Sequence, residues 1–142
     1  MRIPVAALIA AASLAACGPE PAAPQVTAED AVVTLPAVTG RPGAGYFSLH
    51  SNWEGVRLVG ISSPQAERVE LHEAGMRETA SVALTSGEAL RFEPGGRHAM
   101  LYGLDPALRP GARIRLTFRF EGAPEATAEA EVRAPGDVHP GH

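Results

Sequence analysis

Lysine is absent from this 142-residue sequence, cysteine occurs once, and aromatic residues make up 5% of it. All twelve basic residues are therefore Arg; against sixteen Asp and Glu they leave a formal net charge of −4. That balance does not suggest the basic face of a nucleic-acid binder, so no nucleic acid is expected as a partner. A single Cys excludes an internal disulfide, every zinc site built on paired Cys and every CxxC redox motif. Long hydrophobic runs are missing too. The apolar stretch at residues 3–16 is too short for a permanent transmembrane helix. The missing Lys, with 15 Gly, 13 Pro and many Ala, points to GC-rich codon usage, a bias of the genome rather than of the fold. A hydrophobic share of 45% and a charged share of 20% fit a soluble globular chain of one domain, two at most.

What is present begins with a targeting signal. Arg2 followed by the apolar run reads as a secretory signal over residues 1–16. Leu14-Ala15-Ala16-Cys17 resembles the lipobox of bacterial lipoproteins, which makes Cys17 the lipidated residue and the membrane a partner through that anchor. Loss of Arg2 with the signal takes the side-chain charge to 11 − 16 = −5. Gly18 after the Cys resembles outer-membrane rather than inner-membrane lipoproteins, so the expected location is periplasmic and lipid-anchored to the outer membrane. Residues 17–29 carry three Pro and no apolar periodicity, and read as a tether reaching ~35 Å at about 3.1 Å per residue. The domain proper is expected over 30–134, with a flexible tail at 135–142 that carries His139 and His142.

The body reads as strands. Ile114, Leu116, Phe118 and Phe120 alternate with Arg113, Arg115, Thr117 and Arg119, a period of two. Ala126, Ala128, Ala130 and Val132 alternate in turn with Thr127, Glu129, Glu131 and Arg133. A hairpin through Glu121-Gly122-Ala123-Pro124 would pair acids with Arg across the strands. Further runs lie at 31–35, 45–50, 56–61, 68–72, 77–84, 89–93 and 98–104, parted by Gly, Pro, Asn and Ser at turn positions. Such spacing implies an all-β antiparallel sandwich or small barrel. A single turn at residues 106–108 is the one helical candidate, and no internal repeat is visible.

Chemistry concentrates in His and Met. Once Met1 leaves with the signal, two Met remain, and each accompanies a His: His72 with Met76, and His98 with Met100. On a strand, residues i and i+2 share a face, so His98 and Met100 stand side by side. His72 is expected to be exposed at a strand-to-turn edge, with Met76 beyond a bend at Gly75. Two imidazoles and two thioethers from two edges could enclose one soft ion; thioethers favour Cu(I), while imidazole accepts several transition metals. The alternative is that both Met are packing and both His ordinary polar residues.

From about residue 31 to residue 133 the chain resembles the periplasmic copper chaperone family PCu(A)C. The matching stretches are Arg57-Leu58-Val59-Gly60 with Ser62-Ser63-Pro64, then Val69-Glu70-Leu71-His72, and above all Pro94-Gly95-Gly96-Arg97-His98-Ala99-Met100-Leu101-Tyr102-Gly103-Leu104. The resemblance implies a cupredoxin-like Greek-key β-sandwich that holds Cu(I) with His72, Met76, His98 and Met100. The spacing from Met76 to His98, residues 77–97, matches the family's twenty-one. The turn between His72 and Met76, only Glu73-Ala74-Gly75, is shorter than the family's hairpin. The implied activity is non-enzymatic: delivery of copper to a recipient cuproprotein such as cytochrome c oxidase, or to another copper chaperone. Copper storage or detoxification shares the site, and a metal-free assembly lipoprotein on the same sandwich is the different-class alternative. The tail residues His139 and His142 could capture Cu(II), or simply fray.

Other chemistries lack their residues. His72-Glu73-x-x-Met76 misses the second His of the HExxH zinc peptidases, and Gly75 opposes the helix that motif needs. Blue copper needs a Cys thiolate, and Cys17 belongs to the lipid. Ser62 and Ser63 sit in no G-x-S-x-G elbow. His50 reads as a solvated strand residue, and Trp53 as a cap on the sandwich or a partner contact.

Overall fold

Alternation becomes ten strands in the computed structural model, which describes residues 22–136. They are β1 (Val26–Thr34), β2 (Gly43–Ser51), β3 (Arg57–Ser62), β4 (Arg68–Glu73), β5 (Arg77–Thr79), β6 (Val82–Ala83), β7 (Ala89–Phe92), β8 (His98–Tyr102), β9 (Arg113–Glu121) and β10 (Ala126–Arg133). Among the described residues no helix forms; residues 106 and 107 make only a turn. The signal-like segment, Cys17, and the tail residues His139 and His142 lie outside the described residues.

The β9–β10 hairpin forms as the charge pattern requires. Ile114 pairs with Ala130 and Leu116 with Ala128, while Arg115 lies opposite Glu129, Nε to Oε1 3.3 Å. Ile114, Leu116 and Phe118 are fully buried, so the apolar half of the alternation is the core face. Against Phe118 the Phe47 ring stands edge-on at 4.8 Å, and Phe92 stacks on Phe47 at 4.4 Å. Each such aromatic pair adds about 0.5–1.5 kcal/mol beyond its area.

The sheet runs β5-β4-β8-β2-β1-β10-β9-β3-β6, and among the described residues β1 and β10 are its one parallel pair. Its terminal strands β5 and β6 are consecutive in the chain. The run expected at residues 77–84 is therefore not one strand: it leaves β4 at Thr79, bends at Ala80 and Ser81, and joins β3 as β6. Thr79 Oγ1 donates to the Ser81 carbonyl at 3.1 Å and holds the bend. The sheet thereby closes on itself, barrel-like, which leaves fewer free edges.

Two further departures bear on the site. β1 begins at Val26, inside the stretch that reads as a tether, because residues 26–29 pair with 48–51 of β2 before the ladder slips at Glu29/Val32. Asp30 takes a left-handed φ of 54° in that slip. In addition, β7 and β8 lie along the same side of β2, Phe92 opposite Phe47 and Ala99 opposite Gly45. They are one strand line interrupted by a loop. The loop closes on itself, Glu93 N–H to the Arg97 carbonyl at 2.8 Å and Gly96 N–H to the Glu93 carbonyl at 2.9 Å. His98 is the first residue past it.

Candidate metal centre

β8 is an inner strand, paired with β4 on one side and β2 on the other. Its β4 register sets three rungs: Arg68 opposite Tyr102, Glu70 opposite Met100, and His72 opposite His98. Leu71, Ala99 and Leu101 are buried in the core. Period-two geometry then places all six rung residues on the other face.

Local structure puts His98 at the head of its rung. Its Nδ1 lies 3.0 Å from the carbonyl of Gly96, inside the loop that interrupts the strand line. A carbonyl only accepts, so Nδ1 carries the proton and Nε2 is bare in the neutral ring. Across the rung, His72 Nε2 lies 3.1 Å from Glu70 Oε2. A carboxylate also only accepts, so here Nε2 carries the proton and Nδ1 is bare. Both bare nitrogens, His72 Nδ1 and His98 Nε2, are buried without a hydrogen-bond partner. The rings are 5.3 Å apart between centroids and tilted by 30°. Two buried lone pairs left open on facing imidazoles fit a ligand that accepts electron pairs, that is, a metal ion.

One expectation fails at this point. His72 is not exposed at a strand-to-turn edge; it is only 7% exposed. β4 continues through Glu73 and is flanked by β5 as well as β8, so His72 sits within the sheet opposite Glu78 on one side and His98 on the other.

Met100 is half-buried on the same face as both His, between Glu70 of β4 and Ala44 of β2. Met76 is at the tip of the β4–β5 hairpin, which is closed by the Glu73–Arg77 rung, and is 61% exposed. Gly75 adopts φ 82°, the positive value that the tight reversal predicts, and Met76 itself follows at 64°. A left-handed φ is uncommon outside Gly and marks a local constraint. Beside the His rung, Arg97 Nε is 2.8 Å from Glu73 Oε2, an ion pair whose N–H is not aligned for a hydrogen bond. It ties the interrupting loop to the end of β4. Among the described residues no three of His, Cys, Asp and Glu come together as a metal site.

His50 lies near the far end of β2, its Nε2 3.4 Å from Glu29 Oε2. From Ala44 it is six residues along the strand, ~20 Å. Trp53 does not cap the core: it stays 47% exposed in a turn held by Ser51, whose Oγ donates to the Trp53 carbonyl at 2.7 Å.

Sequence reasoning passed over Glu70, Arg68 and Tyr102. Arg68 Nε reaches Glu70 Oε1 at 3.1 Å, and its guanidinium carbon lies 4.0 Å from the Tyr102 ring centre. The His72 N–H holds the Glu70 carboxyl below its ordinary range; burial pushes the other way, and Arg68 and the Tyr102 hydroxyl reinforce the lowering. Tyr102 is pushed up, by burial first and then by its hydrogen bond to the Glu70 carboxylate and that group's charge. The period of two in Val69-Glu70-Leu71-His72 was the available signal, since it puts the carboxylate on the imidazole's face.

Comparison with known proteins agrees with this architecture. The family model described as "Putative lipoprotein LpqE-like" matches residues 26–132. A curated lipoprotein of Leifsonia xyli subsp. xyli is 30% identical over 84 residues, 54% of this chain and 51% of the relative, so the match spans about half that relative's length. The copper-bound PCuAC domain from PmoF2 is 25% identical, with a TM-score of 0.68 over 76% of this chain and 92% of that one. The solution structure of Cu(I)-DR1885 from Deinococcus radiodurans, 22% identical, shares the fold at a TM-score of 0.62, covering 82% of this chain and 80% of that one. The fold is accordingly the all-β, cupredoxin-like one.

Proposed function

Because the chain belongs to the LpqE-like, PCuAC-type lipoprotein family, we propose that it is a non-enzymatic extracytoplasmic copper chaperone. The observation that carries the reading is the pair of buried, unpartnered nitrogens on facing imidazoles. His72 Nδ1 and His98 Nε2 hold Cu(I), and Met100 on the same face adds a thioether. Met76 adds a second from the hairpin. Among the described residues no three of His, Cys, Asp and Glu form a metal site, and the nearby Glu70 is taken up by His72 and Arg68, which supports a soft ion, for which neutral sulfur is a suitable donor.

Handover follows from unequal exposure. The imidazoles are held by hydrogen bonds, His72 to Glu70 within the sheet and His98 to the loop carbonyl of Gly96, whereas Met76 is largely in solvent. A recipient's ligand displaces the exposed thioether first and the imidazoles last. The recipient is a copper centre of cytochrome c oxidase or of another extracytoplasmic cuproprotein. Residues 1–16 are the signal, Cys17 carries the lipid at the outer membrane, the residues that follow tether the domain, and His139 and His142 in the tail take Cu(II).

Anaerobic titration against a coloured Cu(I) chelator tests this. The domain from Gly18 onward should withdraw one copper, and His98→Ala or Met100→Ile should weaken its hold. X-ray absorption of the Cu(I) form should lose about half its sulfur scattering in Met76→Ile. Absence of any competition would leave a metal-free assembly lipoprotein as the reading. Lipid labelling that persists in Cys17→Ser would remove the anchor.

A further inference from the structure

The two histidines offer the ion different nitrogens, and they do so for different reasons. His98 is oriented by a backbone carbonyl, that of Gly96, which no side-chain substitution removes. His72 is oriented by a side chain, Glu70, two residues back on the same face of β4. Both carboxylate oxygens are engaged, Oε2 by His72 and Oε1 by Arg68, each at 3.1 Å. Glu70 is therefore committed to its neighbours and not free to bind an ion itself. Arg68 in turn lies over the Tyr102 ring, so the outermost rung of the ladder clamps the middle one, and the middle one clamps His72.

We propose that Glu70 is a positioning residue: it fixes the proton on His72 Nε2 and the plane of the ring, so that Nδ1 is the nitrogen left bare beside the His98 ring. The assignment rests on the copper reading of the site for its purpose, but not for its geometry. Two consequences separate it from a merely structural ion pair. Without Glu70 the His72 ring can turn about its own axis or move its proton to Nδ1, and either change removes the bare Nδ1 from its buried position. A carboxylate on the remote N–H also raises the basicity of the coordinating nitrogen, and loss of such a partner typically weakens metal binding by about 10–100-fold.

The test uses the metal-free and Cu(I)-loaded full domain with 15N-labelled imidazoles. In metal-free wild type, His72 should show a slowly exchanging Nε2–H and His98 a slowly exchanging Nδ1–H. In Glu70→Ala the His72 signal should be lost or move to Nδ1, while that of His98 stays. Cu(I) affinity should fall by about 10–100-fold. Glu70→Gln, which keeps the shape and can accept one hydrogen bond, should fall between the two and guards against a folding defect in the alanine variant. Glu129→Ala, an exposed carboxylate on β10, should change nothing. A wild-type His72 that carries its proton on Nδ1 overturns the proposal, as does a Glu70→Ala protein that keeps both the Nε2–H signal and its affinity. Failure of wild type to bind Cu(I), with the tautomers as stated, would sink the chaperone reading and leave the role of Glu70 in place.

Discussion

Replacing His98 by Phe distinguishes a ligand from a structural side chain, because the ligand role predicts a metal-free protein that is little changed or more stable and the structural role a clearly less stable one. Phe keeps a ring of similar size on β8 and removes both nitrogens. His98 Nε2 is buried without a partner, and an unsatisfied buried acceptor costs about 1–3 kcal/mol. Nδ1 makes one hydrogen bond, to the Gly96 carbonyl at 3.0 Å, worth about 0.5–1.5 kcal/mol net. Gly96 is only half-buried, so water can take over the released carbonyl. The balance for the variant without metal runs from about −0.5 to +2.5 kcal/mol. In a domain of this size each kcal/mol moves Tm by roughly 3–6 °C. Copper should act in the other direction. At free Cu(I) a hundredfold above Kd, wild type gains about 2.7 kcal/mol by mass action, and the variant should gain far less. Anaerobic thermal melts with and without buffered Cu(I) read both effects. A metal-free Tm that falls by the equivalent of more than about 1 kcal/mol, with the copper shift intact, would refute the reasoning and make His98 a structural residue.

Four other outcomes follow from the same structure. Gly43→Ala would put a Cβ 2.6 Å from Leu104 Cδ1 and 2.9 Å from the Thr34 carbonyl oxygen; the Leu can turn away but the backbone cannot, so urea melts should show a loss of about 1–3 kcal/mol. Phe118→Ala empties a fully buried position under Phe47 and should cost about 3–5 kcal/mol, whereas Glu129→Gln breaks only an exposed pair with Arg115 and should stay within about 1 kcal/mol in the same melts. The folded Glu70 carboxyl is held below its unfolded value, so the stability it confers is present above that value and disappears as pH falls through the folded one. Metal-free Glu70→Gln should accordingly lose less stability on acidification below the ordinary carboxylate range than wild type does, and an unchanged acid limb would contradict this.

Local pattern and tertiary context divided the information unequally. The β9–β10 hairpin was legible because both its signals are local: alternation sets the buried face, and opposite charges on the two runs set the pairing. The same holds for His98 and Met100, whose spacing alone puts them on one face of β8. The burial of His72 was not legible. It depends on β4 having β5 and β8 as neighbours, and β8 comes twenty-five residues after β4 in the chain, counting from Glu73 to His98. The split of residues 77–83 into β5 and β6 was hidden for the same reason, since nothing in Arg77–Ala83 says that its two halves serve opposite ends of the sheet. Least legible was the feature that decides the chemistry. Which nitrogen of an imidazole stays bare depends on what its other nitrogen touches, and that is a matter of rotamers. In Val69-Glu70-Leu71-His72, the period of two brings the carboxylate to the right face, but only the folded rung shows Oε2 on Nε2 rather than on Nδ1. The Gly96 carbonyl on His98 is further from the sequence still, because it requires the loop that interrupts the β7–β8 line to curl back by a 2.8 Å bond from Glu93 to Arg97. Two unrelated local devices, one a side chain and one a backbone turn, leave lone pairs open on facing rings. A core built for stability alone has no use for that arrangement, since each open pair is a cost that an apolar side chain would not incur.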